Sequence, residues 1–220
     1  VDDLYKLLRH LGIEQAYIGG LSMGGSIALQ FGLAHPAMCR ALIVAGAGTG
    51  STNSEQFAQE TAAVAERLDR EGIKGWASEY AEGPTRTQLK RKDPKGWELF
   101  KRSLLAHSPQ GSAYTIRNVQ GKRPTIFSLD EQLRQMRVPT LIIVGDEDDP
   151  CIETAIFMKR RIARCGLVVL PQSGHTVNLE EPTLFNGAVS DFLTAVEAGR
   201  WGERDRGSGV SFLADAGLDG

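Results

Sequence analysis

A serine set between glycines and a histidine far downstream could together form an acyl-transfer centre. Ser22 lies in the stretch GLSMG at positions 20–24, which fits the pattern G-x-S-x-G of a nucleophile elbow, where a strand turns sharply into a helix. A serine hydroxyl is a poor nucleophile at neutral pH and needs a base within hydrogen-bond reach. His175 could take the proton and later return it to the leaving group, while a buried carboxylate orients the imidazole. Because such a pentapeptide also arises by chance in a chain with 25 glycines, its surroundings must decide.

Four short, near-continuous apolar runs would position these groups. Such runs are typical of strands buried on both faces of a parallel sheet. They cover residues 16–19, 41–45, 140–145 and 167–170. Helical patterns lie between or after them, at residues 23–34, 152–163 and 182–198. Strands that alternate with helices predict a three-layer α/β fold with a mostly parallel sheet.

The candidate catalytic groups follow the ends of these predicted strands. Ser22 follows the first run, an acidic cluster at positions 146–149 follows the third, and His175 follows the fourth. Because open parallel sheets place their chemistry beyond the carboxyl ends of the strands, we expect the three groups to meet at one edge. The backbone N–H of Met23, at the start of the next helix, would be one oxyanion donor, favoured by the positive end of the helix dipole.

Three motifs in this order resemble those of the α/β-hydrolase superfamily. GLSMGG resembles its nucleophile elbow, PTLIIVGDEDDP its acid strand and SGHTVNLEEP its histidine loop. Within the superfamily the pattern resembles the esterase-like branch with 3-oxoadipate enol-lactonases and meta-cleavage-product hydrolases. The resemblance implies a Ser22–His175–Asp148 triad, because the acid usually ends a G-x-x-D turn; Asp146 is the reserve candidate.

The chain divides into four predicted parts. Residues 1–50 would form the sheet part with the elbow, and residues 131–199 the sheet part with the acid and the histidine. Residues 51–130 lack a convincing strand and predict a helical cap, with helices at 54–70, 94–107 and 108–120. Residues 200–220, rich in Gly, Asp and Arg, predict a loosely ordered tail in which VSFLA could dock.

Composition restricts the class of partner. The formal net charge of −2 offers no general attraction for nucleic acid or an anionic membrane, and no apolar run has the length of a membrane span. The three cysteines, Cys39, Cys151 and Cys165, are widely spread and show neither metal-ligand spacing nor a disulfide framework. We therefore expect a cytoplasmic protein, and the resemblance to the α/β-hydrolases implies a small-molecule substrate and neither a metal nor an organic cofactor.

The sequence begins with Val1, inside a helical pattern. Members of the family carry further strands before the elbow and a His-Gly-type loop that supplies a second oxyanion N–H. We therefore expect a fragment or a chain trimmed at its front. The strand at residues 16–19 would then be an exposed edge, so we expect poor stability or self-association into a homo-oligomer.

Taken together, these features predict a serine hydrolase that cleaves a small carboxylic ester or lactone through an acyl-enzyme. Two alternatives keep the same triad, namely cleavage of a C–C bond in a diketone-type substrate and cofactor-free perhydrolysis. A third is a non-catalytic binding module or an inactive fragment.

Overall fold

The computed structural model describes residues 1–203 and is built on a parallel sheet. Its four strands are β1 (Ala16–Leu21), β2 (Cys39–Ala45), β3 (Thr140–Gly145) and β4 (Cys165–Leu170). They lie in the order β1-β2-β3-β4, every pair is parallel, and β1 and β4 form the edges of the described sheet. The predicted parallel α/β fold is confirmed.

Three of the strands are longer than the apolar runs predict. β1 continues to Leu21 because its two glycines keep their pairing with β2, and Leu21 lies opposite Ala45. β2 and β4 begin two residues early, at Cys39 and Cys165, since each start already pairs with the neighbouring strand. Pairing with neighbours, which apolarity alone does not report, sets these boundaries.

Eleven α-helices accompany the sheet in the described residues. They are α1 (Asp2–His10), α2 (Met23–Ala34), α3 (Ser54–Glu71), α4 (Lys74–Ala81), α5 (Thr87–Lys92), α6 (Pro94–Leu105), α7 (Pro109–Thr115), α8 (Asp130–Gln135), α9 (Asp149–Arg161), α10 (Val177–Glu180) and α11 (Pro182–Glu197). Short 3₁₀ turns cover Pro36–Met38, Pro84–Arg86 and Phe127–Leu129, and a π turn covers Ile116–Gln120. None of the described helices is long and apolar enough to cross a membrane.

Both faces of the sheet are buried, which explains the continuous apolar strands. Leu42 and Ile142 pack on one face with residues of α1, α2, α8 and α9. Ile43 and Ile143, their neighbours along the strands, pack on the other face with Phe192 of α11. Because successive strand residues point to opposite faces, an alternating pattern would have left one face polar.

Helices α3 to α7 form a helical insertion, residues 54–120, between β2 and β3. It has apolar clusters of its own, one around Leu68 and Leu104 and another around Leu89 and Trp97. α3 ends at Glu71, and the next residue, Gly72, has a φ of +75°, which suits glycine. The predicted helix at 94–107 ends at Leu105, and the one at 108–120 is α7 followed by the π turn. The sequence did not predict α4 and α5.

The first residues of the predicted tail pack against the sheet layer. The Trp201 ring lies 4.6 Å from that of Phe192, and its Nε1 donates to the Arg164 carbonyl at 3.0 Å. Most of the predicted tail, including VSFLA, lies outside the described residues.

Candidate active site

Ser22 occupies the sharp turn between β1 and α2. Its φ of +59° and ψ of −115° lie in a region that non-glycine residues rarely adopt. Its N–H donates to the carbonyl of Ala45 at 2.8 Å, which fixes the turn against the end of β2. A strained backbone of this kind persists only where its surroundings enforce it, as at functional sites.

The glycines around Ser22 differ in whether the structure leaves room for a side chain. A Cβ on Gly20 would lie 2.3 Å from the carbonyl carbon of Gly24, and a Cβ on Gly25 would lie 2.7 Å from the oxygen of Ala45. A Cβ on Gly24 would meet nothing within 4 Å. Position 20 therefore requires glycine because a Cβ there would collide with the backbone of Gly24, whereas position 24 has room for a Cβ.

Asp148 and His175 form a buried hydrogen-bonded pair. His175 Nδ1 lies 2.8 Å from Asp148 Oδ2, and the two residues are 5% and 0% exposed. Asp148 closes a turn after β3, where its N–H donates to the Gly145 carbonyl at 3.2 Å. When Nδ1–H donates to the Asp148 carboxylate, Nε2 of His175 is left as the basic nitrogen, which is the arrangement that a general base requires.

Asp146, the reserve candidate for the acid, serves the histidine loop in another way. Its side chain is exposed, and its Oδ1 accepts the N–H of Ser173 at 3.0 Å. Burial alone would raise the pKa of this carboxyl, but backbone N–H groups of Ser173 and Gln172 and the charge of Lys92 outweigh burial and lower it. The structure thus places Asp148, and not Asp146, on the imidazole.

The end of β2 connects the serine to the histidine–acid pair. Gly46 follows β2 directly, and a Cβ there would lie 3.4 Å from both Asp148 Oδ2 and His175 Nδ1. The preceding residue, Ala45, accepts the N–H of Ser22. All three predicted groups therefore converge on the carboxyl end of β2, as the order of the strands predicts.

Met23 is the first residue of α2. The first N–H groups of a helix have no partner inside it and carry the positive end of its dipole. The Met23 amide is therefore placed where it could donate to an oxygen that gains negative charge beside Ser22.

Cys151 lies behind the acid. Its thiol is fully buried and lies 3.4 Å from both Thr49 Oγ1 and the carbonyl oxygen of Gly46. In the described part of the chain, the donor atoms of Asp148, Cys151 and His175 form a group of three within 4.8 Å of one another. Burial, reinforced by the Asp148 charge, raises the pKa of the thiol to about 12. A protonated thiol is a poor metal ligand, so we interpret this group as packing around the acid.

The helical insertion contacts the site through Thr85 and Gln88, which the sequence did not predict as site residues. The carbonyl of Thr85 accepts the N–H of His175 at 3.2 Å, and Gln88 Nε2 donates to Glu147 Oε2 at 2.6 Å. Arg123, just after the insertion, donates to Ser26 Oγ at 3.0 Å, and burial lowers the pKa of its guanidinium. A backbone carbonyl carries no signal in the residue type, so no motif could have revealed Thr85.

Comparison with known proteins identifies the family that this chain matches and several proteins to which it is similar. The family described as alpha/beta hydrolase fold matches residues 1–182. A 3-oxoadipate enol-lactonase 1 from Acinetobacter baylyi is 28% identical, over 89% of this chain and 70% of its own. A 2-hydroxymuconate semialdehyde hydrolase from a Pseudomonas species is 29% identical, over 90% and 69%. The solved structure of a thermophilic esterase from Thermogutta terrifontis with malate bound is 29% identical, with a TM-score of 0.76 over 89% and 71%.

Proposed function

The chain belongs to the α/β-hydrolase fold family, and from this premise we propose that it is a serine hydrolase that cleaves a small carboxylic ester or lactone. The observation that carries the proposal is the 2.8 Å contact between His175 Nδ1 and Asp148 Oδ2, buried beside the strained turn of Ser22. A hydrogen-bonded acid–base pair next to a serine elbow is the arrangement that activates a hydroxyl.

In the first half-reaction the Ser22 hydroxyl attacks the carbonyl carbon of the substrate. His175 Nε2 takes the hydroxyl proton, and the Asp148 carboxylate stabilises the imidazolium that forms. The Met23 N–H donates to the oxygen of the tetrahedral intermediate. When that intermediate collapses, the C–O bond to the leaving group breaks and the imidazolium returns its proton to the departing oxygen.

In the second half-reaction water takes the place of the serine hydroxyl. His175 removes a proton from water as the water oxygen attacks the acyl carbon. When the second tetrahedral intermediate collapses, the bond between the acyl carbon and Ser22 Oγ breaks and the imidazolium gives that proton to the serine oxygen. The products are a carboxylic acid and an alcohol, or one hydroxy acid from a lactone. This chemistry needs neither a metal nor an organic cofactor. The three free, buried cysteines support the further proposal of a reducing, cytoplasmic setting.

A second candidate function is hydrolysis of a C–C bond. It is favoured by the 29% identity to the 2-hydroxymuconate semialdehyde hydrolase, whereas the enol-lactonase and the esterase favour C–O cleavage. The two candidates share the triad and differ in the substrate bond.

Substrate assays separate the two candidates. We expect the chain to hydrolyse p-nitrophenyl acetate, p-nitrophenyl butyrate or a simple γ- or δ-lactone faster than a vinylogous 1,5-diketone, with all activity lost in His175→Gln. Faster turnover of the diketone would replace the ester proposal with C–C hydrolysis. Turnover of none of these substrates by the folded protein would contradict both.

A further inference from the structure

The histidine loop, residues 171–176, is held by acceptors that lie outside it. It joins β4 to α10 and is not part of a strand or helix. Within residues 1–203 the non-glycine residues with a positive φ are Ser22 and Gln172, and Gln172 lies in this loop. A loop of this kind keeps one conformation only if its backbone polar groups find fixed partners.

Four successive N–H groups of this loop find such partners. The N–H of Ser173 donates to the Asp146 carboxylate at 3.0 Å, and that of His175 donates to the Thr85 carbonyl at 3.2 Å. The remaining two, on either side of His175, both donate to the carboxylate of Glu180. Gly174 N–H reaches Oε2, and Thr176 N–H reaches Oε1 at 2.9 Å.

The Glu180 carboxylate is buried, with 5% of the residue exposed. Its Oε1 also accepts the hydroxyl of Thr176 at 2.7 Å, so both oxygens are occupied. No ion pair involves this carboxylate within the described part of the chain. Burying a charge without a counter-ion is costly unless several hydrogen bonds compensate it. Here the compensating donors are those that set the path of the chain around His175.

We propose that Glu180 is a positioning residue for His175, an inference that rests on the proposed serine hydrolase. Asp148 fixes the imidazole ring, and Glu180 fixes the peptide groups before and after the histidine. The fit is tight, because a Cβ on Gly174 would lie 2.9 Å from the oxygen of Thr85. A displacement of the backbone by about 1 Å would pull Nδ1 off Asp148 and change the position of Nε2 relative to Ser22, and such a displacement can reduce catalysis on the order of 100-fold.

Glu181 provides a matched control beside it. Its carboxylate lies nearer the surface and pairs with Lys92, and it accepts none of the four loop N–H groups described above. Glu180→Gln and Glu181→Gln remove the same charge one residue apart. Only the first replaces an oxygen that accepts a loop N–H by an amide group that cannot accept it.

The test compares three readouts in the full chain: the rate at which a fluorophosphonate probe labels Ser22, the melting temperature, and the NMR resonance of the His175 Nδ1 proton. For Glu180→Gln we expect labelling roughly 10- to 100-fold slower at temperatures where the protein is folded, with the Nδ1 resonance shifted or broadened. For Glu181→Gln we expect labelling within about twofold of the unmodified chain and an unmoved resonance.

A purely structural role would give another pattern. If Glu180→Gln lowers the melting temperature but leaves the labelling rate and the Nδ1 resonance unchanged, the proposal is overturned. If Glu180→Gln does not fold, Thr176→Val decides, because it removes one donor from Glu180 and keeps the charge; we expect labelling slowed about fivefold, and an unchanged rate would overturn the proposal. If the unmodified chain is not labelled at all, the serine hydrolase proposal fails, while the Nδ1 resonance still reports whether Glu180 positions His175.

Discussion

The carboxyl edge of the sheet and the helical insertion hold their charged residues in opposite ways. At the sheet edge Asp148 and Glu180 are buried, and each is fixed by hydrogen bonds to a neighbouring loop. In the insertion the charged residues other than Arg86 lie at or near the surface, and several of them pair with one another, as Arg67 does with Glu71 and Glu79. Hydrogen bonds from Arg67 help to lower the pKa of both carboxyls, yet water screens these pairs.

The two regions therefore suit their charged residues to different roles: buried carboxylates at the sheet edge can orient other groups, whereas exposed charges on the insertion mainly interact with water. A carboxylate can orient an imidazole only where water does not compete for it, and the ends of buried strands provide such places. A carboxylate on an exposed helix face contributes little energy and has no fixed direction. Substitutions at the sheet edge should therefore have large effects, and matching substitutions in the insertion small ones.

The largest effect is expected for the acid. Asp148→Asn should lower the rate of ester hydrolysis by on the order of 10³- to 10⁴-fold, because the imidazole loses the partner that selects its tautomer. Asp146→Asn should cost less than about tenfold, since Asp146 contacts the histidine loop and not the ring. Steady-state kinetics on p-nitrophenyl butyrate would measure both. A larger loss in Asp146→Asn would transfer the role of acid to that residue.

A paired glycine substitution tests the backbone at the elbow. Gly20→Ala should lower the free energy of unfolding by about 3 kcal/mol, because its Cβ would lie 2.3 Å from the backbone of Gly24. Gly24→Ala should raise it by up to about 1 kcal/mol, since the site is open and alanine favours the helix. Urea denaturation followed by circular dichroism measures both values. Equal effects at the two positions would contradict the steric explanation.

The cysteines give the sheet region a specific pH dependence. Burial raises the pKa of Cys39 from 9.0 to about 11 and that of Cys165 from 9.0 to about 12. Above about pH 9 the unfolded chain releases thiol protons that the folded chain retains, so stability should fall as the pH rises, by at most about 1.4 kcal/mol per pH unit and thiol. In Cys165→Ala the slope of the free energy of unfolding between pH 8.5 and 10.5 should be shallower. An unchanged slope would mean that this thiol is not shielded.

The smallest effect is expected in the insertion. Arg67→Gln breaks the ion pairs to Glu71 and Glu79, and the melting temperature should stay unchanged within error because exposed pairs contribute little. Differential scanning calorimetry at low salt is the most sensitive check. A clear drop in melting temperature would show that this network supports the insertion as strongly as burial supports the sheet.

The sheet region was also the part that the sequence predicted best. Continuous apolar runs predicted all four strands, and the acidic and histidine motifs predicted the pair that the structure joins, Asp148 and His175. The helical insertion was predicted less well, because α4 and α5 are short and α7 passes into a π turn. Local patterns carry the strand signal, whereas packing between helices decides where a short helix ends.

Two features of the site could not be predicted in this way. Thr85 contacts His175 through its carbonyl, which every residue type possesses. Glu180 and Glu181 both fall within the motif SGHTVNLEEP, but Glu180 is buried against the histidine loop, whereas Glu181 pairs with Lys92. Only the three-dimensional path of the chain distinguishes the two.

The central claim is that Ser22 is an activated nucleophile, and covalent labelling tests it most directly. The folded chain would be treated with a fluorophosphonate probe and its intact mass compared with that of Ser22→Ala under the same conditions. We expect one adduct on the unmodified chain and none on Ser22→Ala. No adduct on the folded chain, or an equal adduct on Ser22→Ala, would contradict the proposed serine hydrolase.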